Sequence, residues 1–307
     1  MPSIWPSRII LRGALSIAGL SAVTFYIVRR KLETACRRVP IATLPKSSAC
    51  RNFVEQASSA TTSNSLTAWG LGQTRLLPSW PPGNDDDDDS MTHWIPSFVV
   101  VQMELPADSD AHDDMLPLAK KLLACFLDAR AAGPEPWVLD RGVPPLKFAP
   151  GHPLFGTTPE PGAFLLGTWS TMSGESVDPL ALPDSAPRPV AAFPSNRDVV
   201  KQRCDEVPAA GSVLYWRAGQ IGVRGLSRTA GLARLWWRFP EGGFQELIVE
   251  RVADDKLRVS YVSAEVGPCR QAEGVAELGR LAGFLYEVHV MYAQCLLSGA
   301  ARRLRAT

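Results

Sequence analysis

Apolar and polar positions divide this chain into three stretches. From Gly13 to Val28 it reads GALSIAGLSAVTFYIV without a charge, and Ile9, Ile10 and Leu11 prolong the run backwards past Arg12. A bilayer core needs about 20 apolar residues, with a lower limit of about 17. The segment meets that requirement if Arg12 snorkels to the interface. A cleaved secretory signal fits poorly. The apolar run ends in Phe25, Tyr26, Ile27, Val28 and three basic residues, where cleavage would need small side chains. The pattern predicts a signal anchor, with Gly13, Leu20 and Val28 marking its start, middle and end. The competing readings are an acid-poor mitochondrial presequence, since Glu33 is the first acidic residue, and an apolar helix buried in a large domain.

Residues 32–93 follow as a predicted connector. Ser58–Ser65 is mostly Ser, Thr and Ala; Pro78, Pro81, Pro82 and the run Asp85–Asp89 come next. Consecutive like charges repel and stay solvated, so the acidic run reads as a surface loop. An EF-hand loop would alternate its ligands around a Gly, which this run does not.

Residues 94–307 carry the periodicity of one globular domain. Phe98–Leu105, Ala163–Trp169, Ser212–Arg217, Leu232–Phe239, Phe244–Val252 and Leu257–Ala264 are β-branched, aromatic or alternating runs and predict strands. Short strands are also read near Val190–Phe193 and Ile221–Leu226. Leu118, Leu122 and Phe126 are four apart, predicting a helix from Met115 to about Ala132, stopped by Gly133-Pro134. Glu241-Gly242-Gly243 and Ala253-Asp254-Asp255 read as hairpin loops, making the sequential strands antiparallel. A last helix spans about Glu273 to Leu304, with Leu278, Leu281, Leu285, Tyr292 and Leu296 in one stripe. The fold class is α+β: an N-terminal transmembrane helix (1–31), then an antiparallel sheet packed on a long C-terminal helix.

Composition narrows the function. Formal net charge is +1 and charged residues are 21% of the chain, which leaves no electrostatic footprint for nucleic acid. The basic residues that do cluster (Arg29, Arg30, Lys31, Arg37, Arg38) flank the apolar segment. By the positive-inside rule they place the bulk of the protein in the cytosol as a single-pass membrane protein. A short span between basic flanks also suits a mitochondrial membrane. The six cysteines form no CxxC, and there is no HExxH or close His pair, so neither a metal nor another cofactor is expected. GxSxG, GxxxxGK[ST] and GxGxxG are likewise missing. Cys36, just past the span, is either an ordinary thiol or a palmitoylation site.

The order of strand, helix, strand, antiparallel meander and long C-terminal helix resembles the helix-grip fold of START-type lipid-binding domains, Bet v 1-like proteins and some polyketide cyclases. The resemblance covers roughly Trp94 to Leu304 and is one of topology, so it transfers no functional residue. It implies a curved sheet around the last helix with an apolar cavity between them.

Candidate residues come from the pattern itself. His289 falls near the centre of the C-terminal apolar stripe. There it is either a core histidine or a general acid/base working with Tyr215 or Tyr261. Trp169, Arg217, Trp237 and Leu285 are the ligand-binding candidates, aromatic walls and an Arg for an acidic head group. Their alternative is plain core and surface stacking. Glu246 and Glu250 alternate with Leu247 and Val249 and read as a solvated strand face. The function expected is a membrane-anchored domain binding a hydrophobic small molecule or lipid. Alternatives are a cyclase or isomerase acting on a polyketide or terpenoid, and a non-catalytic membrane adaptor.

Overall fold

The computed structural model describes residues 25–52, 55, 65–68, 72–75, 93–107, 114–133, 152–153, 162–177, 196–201, 207–217, 242–269 and 280–306. In chain order these form helix α1 (25–35), strand β1 (Arg37–Arg38), a 3-10 turn (Ile41–Thr43) and a short helical turn at 49–52. The hairpin β2 (Ser65–Ala68) and β3 (Gly72–Arg75) follows, then β4 (His93–Pro106), α2 (Leu116–Ala131), β5 (His152–Pro153) and β6 (Gly162–Ser170). The chain closes with α3 (Arg197–Lys201), β7 (Ala209–Arg217), β8 (Gly242–Ala253), β9 (Lys256–Cys269) and α4 (Arg280–Ala306).

The protein is α+β, as the periodicity predicts. A seven-stranded antiparallel sheet runs β1-β4-β9-β8-β7-β6-β5, and α4 lies at its C-terminal end of sequence. The chain's first long strand therefore sits beside its last, with His93–Pro106 paired along Lys256–Cys269. The β8–β9 turn falls at Asp254-Asp255 as predicted. The expected loop at Glu241-Gly242-Gly243 does not hold, since Gly242 and Gly243 already pair with Arg217 and Trp216. The predicted strands Leu232–Phe239, Val190–Phe193 and Ile221–Leu226 lie outside the described residues.

Each central strand buries both of its faces. On β8, Leu247 and Val249 point to one side and Phe244 and Ile248 to the other; on β9, Val259 and Tyr261 oppose Val262 and Ala264. The first face is covered by α2 and α4. Leu122, Leu123, Phe126 and Leu127 of α2 meet Val290, Ala293, Leu297 and Ala300 of α4 above the sheet. The two helices run antiparallel, because Gly299 abuts Ala129 while Tyr292 lies near Gly133.

The second face is covered by the N-terminal segment. Leu44, Ala49 and Cys50 are buried against Val100, Ile248 and Val262, with Val39 and Ile41 packed beside them. This corrects the reading of 32–93 as a plain connector: its first part is structural. Backbone pairing of β1 on β4, extended by the bond from Val39 N to Val100 O (3.1 Å), carries the chain over the sheet edge. Cys36 thus joins the helical side and residues from Val39 onward the other.

Among the described residues no helix is long and apolar enough to cross a membrane. Gly13 and Leu20 of the predicted span lie outside the described residues. Val28 is described: it sits in α1 and is 41% exposed.

Candidate functional site

Among the described residues two polar clusters stand out in the interior, one on each face of the sheet. The first is built around Glu246. By strand alternation it faces the N-terminal segment, and it is fully buried, which corrects the expectation of a solvated face. Glu250, on the same strand, is half-buried and pairs with Arg258 at 3.4 Å.

Four donors hold the Glu246 carboxylate. Oε1 accepts from Ala49 N (2.9 Å) and Trp169 Nε1 (2.7 Å); Oε2 accepts from Ser48 Oγ (2.5 Å) and Cys50 N (2.9 Å). Ser48 Oγ also accepts from Arg51 N at 3.1 Å, so it caps the turn whose first N–H groups bind the carboxylate. Burial pushes the Glu246 carboxyl above the usual carboxylate range, while the donors, Ser48 first, pull it back. Burial beside this carboxyl also drives the Cys50 thiol well up. Asn196 continues the network: its side chain accepts from Val177 N (2.8 Å) and donates to Ser47 O (2.9 Å). A buried carboxyl of raised pKa often marks a reactive site. Here both oxygens are fully engaged by protein donors, so the cluster is a latch that fastens residues 47–52 to the sheet.

Trp169 reaches this latch because of a register change. Ala163 and Leu165 of β6 face the helices, and simple alternation would send Trp169 the same way. The irregularity between Leu165 and Gly167 reverses the alternation and turns Trp169 to the opposite face. Trp169 is therefore not a wall of a helix-side cavity, as the sequence reading had it, but part of the Glu246 latch.

The second cluster lies on the helix side, at the C-terminal end of α2. Arg130, 8% exposed, donates from Nη1 to Gln245 Oε1 at 3.1 Å and stacks over Phe126, its Cζ 5.8 Å from the ring centroid. Ser263 is paired directly across from Gln245 and is also buried. Trp216 packs against the same core, and its buried Nε1 has no hydrogen-bond partner. Tyr261 belongs to this side as well, its ring 4.9 Å from that of Phe126. Past this point α2 has ended, and residues 280–291 of α4 extend beyond it.

The remaining predicted residues are divided by the sheet. Tyr215 lies on the latch side, packed on Phe244 at 5.5 Å between centroids, so the sheet separates it from α4 and from His289. His289 is half-buried on α4, next to the buried Val290. Arg217 closes β7 opposite Gly162 and Gly242, Leu285 lies within α4, and Trp237 is outside the described residues. The acid/base pairing of His289 with Tyr215 is thus not formed; Tyr261 alone shares its side of the sheet. Arg130 and Trp216 were missed. Arg130 follows the Leu118–Leu122–Phe126 series at the same four-residue spacing, which was the available signal.

No family model, no curated protein and no solved structure matches this chain.

Proposed function

We propose that the protein is a membrane-anchored domain that binds a hydrophobic small molecule or lipid between its sheet and α4, with the bulk of the domain on the cytosolic side. The observation that carries this reading is the helix-side cluster. At the C-terminal end of α2 the apolar two-helix layer holds the buried guanidinium of Arg130 on the amide of Gln245, and on the same face of the sheet the indole N–H of Trp216 has no partner. Apolar walls with a few convergent polar groups are the usual composition of a small-molecule site. The adjacency of the first long strand, β4, to the last, β9, and the long closing helix support the helix-grip likeness, which is one of fold and names no ligand. The anchor rests on the uncharged run Gly13–Val28 and its basic flank.

The test is native mass spectrometry of the full chain in detergent, followed by organic extraction of what co-purifies. The expected result is one defined lipid or polyketide-like mass that Arg130→Ala diminishes. Protein that is empty, monodisperse and indifferent to a panel of fluorescent lipids would overturn the reading in favour of an adaptor. The full chain is required, because a truncation starting near residue 91 would remove every main-chain and Ser48 donor to Glu246.

A further inference from the structure

Helix α1 has two faces. Phe25, Arg29 and Leu32 are half-buried at helical spacing toward the domain, and Cys36 beyond them is fully buried. Tyr26, Ile27 and Val28 point outward with 61%, 48% and 41% exposure, followed by exposed Arg30 and Lys31. The helix is fixed to α4 through one carboxylate: Glu287 pairs with Arg29 Nη2 at 3.0 Å and with Arg38 Nη1 at 3.2 Å. Gln294 Nε2 adds a bond to Cys36 O at 2.8 Å, about two helical turns further along. Val28 and Val288 each adjoin a partner of the Arg29–Glu287 pair, and Val288 is 40% exposed.

We propose that the outer face of α1 and the adjoining edge of α4 form one surface that lies on the lipid bilayer, so that the domain is docked on the membrane rather than hung from it. This rests on the anchor reading above. The occupant follows from the chain itself. The uncharged stretch before Tyr26 leads straight into the exposed trio, placing lipid at this end of the domain. A tyrosine beside aliphatic residues, then Arg30 and Lys31, is the composition that suits the headgroup level of an anionic membrane. Among the described residues the other exposed large apolar side chains are Met172 and Val207, which flank the paired ends of β6 and β7, away from the β1–β4 edge. The part of α4 that extends beyond α2 is then the part that meets lipid.

The experiment places photoreactive benzoylphenylalanine at Leu20, Val288 or Met172 in the full chain. The protein is reconstituted in vesicles of phosphatidylcholine and phosphatidylserine, and lipid adducts are read by mass spectrometry. Adducts at 20 and 288 with background at 172 are expected. Glu287→Ala should cause loss of the adduct at 288 and leave that at 20. Adducts at 20 but not at 288 would overturn the docking and leave the anchor standing; adducts at neither would remove both. Equal yields at 288 and 172 would mean indiscriminate contact and would also overturn it.

Discussion

Trp169 and Glu246 are hydrogen-bonded at 2.7 Å although they stand two strands apart, on β6 and β8. The indole spans β7 at Gly211, its direct cross-strand neighbour. A Cβ at that position would lie 2.5 Å from Nε1 and 2.7 Å from Cε2. The missing side chain of Gly211 is what lets the bond form.

Gly211→Ala should therefore destabilise the protein by about 1–3 kcal/mol, the usual cost of overpacking a core. Trp169→Phe should cost a comparable amount through the lost donor. The double variant should cost less than the sum, because the two changes act on one contact. Urea unfolding of the four proteins checks this; strict additivity would contradict it.

Glu246→Ala strands four donors in the interior. At about 1–3 kcal/mol for each buried group left unsatisfied, the loss should be at least about 3 kcal/mol. Hydrogen exchange should show residues 47–52 losing protection before the strands do, because the carboxylate is what fastens them.

The pH dependence follows from the raised Glu246 carboxyl. The folded protein holds this proton to higher pH than the unfolded chain does. The associated stability is complete below the ordinary carboxylate range and is lost as pH rises through the folded value. Glu246→Gln should flatten that decline in unfolding free energy measured from about pH 4 to about pH 8. An unchanged slope would place the titration elsewhere.

Thiol reactivity should divide the cysteines by burial. Cys36, pushed up to about 12 by desolvation, and Cys50, fully buried, should resist alkylation in the native state. Cys295, exposed on α4, should be modified ahead of both. Peptide mapping after brief iodoacetamide treatment reads the order directly.

Glu287→Gln should shift global stability by less than about 1 kcal/mol, since its ion pairs are partly solvated. The effect should appear locally, as faster hydrogen exchange in α1.

The long strands β4 and β6–β9 and the long helices were legible because their apolar periods are long and regular. Leu118–Phe126 gave α2 nearly to the residue, and Phe98–Leu105 gave the inner part of β4. The candidate site was legible only in outline. Face assignments assumed unbroken alternation, and the irregularity at Leu165–Gly167 reversed the face of Trp169. Glu246 was misread because alternation with Leu247 and Val249 implies a polar outer face only if nothing covers it. The cover comes from Leu44–Cys50, a segment too short and too rich in Ser and Pro to show periodicity.

The N-terminal segment is held by residues made very late. Glu246 lies 198 positions after Ser48, and Glu287 lies 249 after Arg38. On the ribosome, then, residues 25–52 emerge well before β8 and α4 and must wait for them to supply these partners. Contacts of such long range slow folding and leave apolar surface open meanwhile. Cys50, Leu44 and the uncovered sheet are the surfaces that a chaperone would have to shield until synthesis ends.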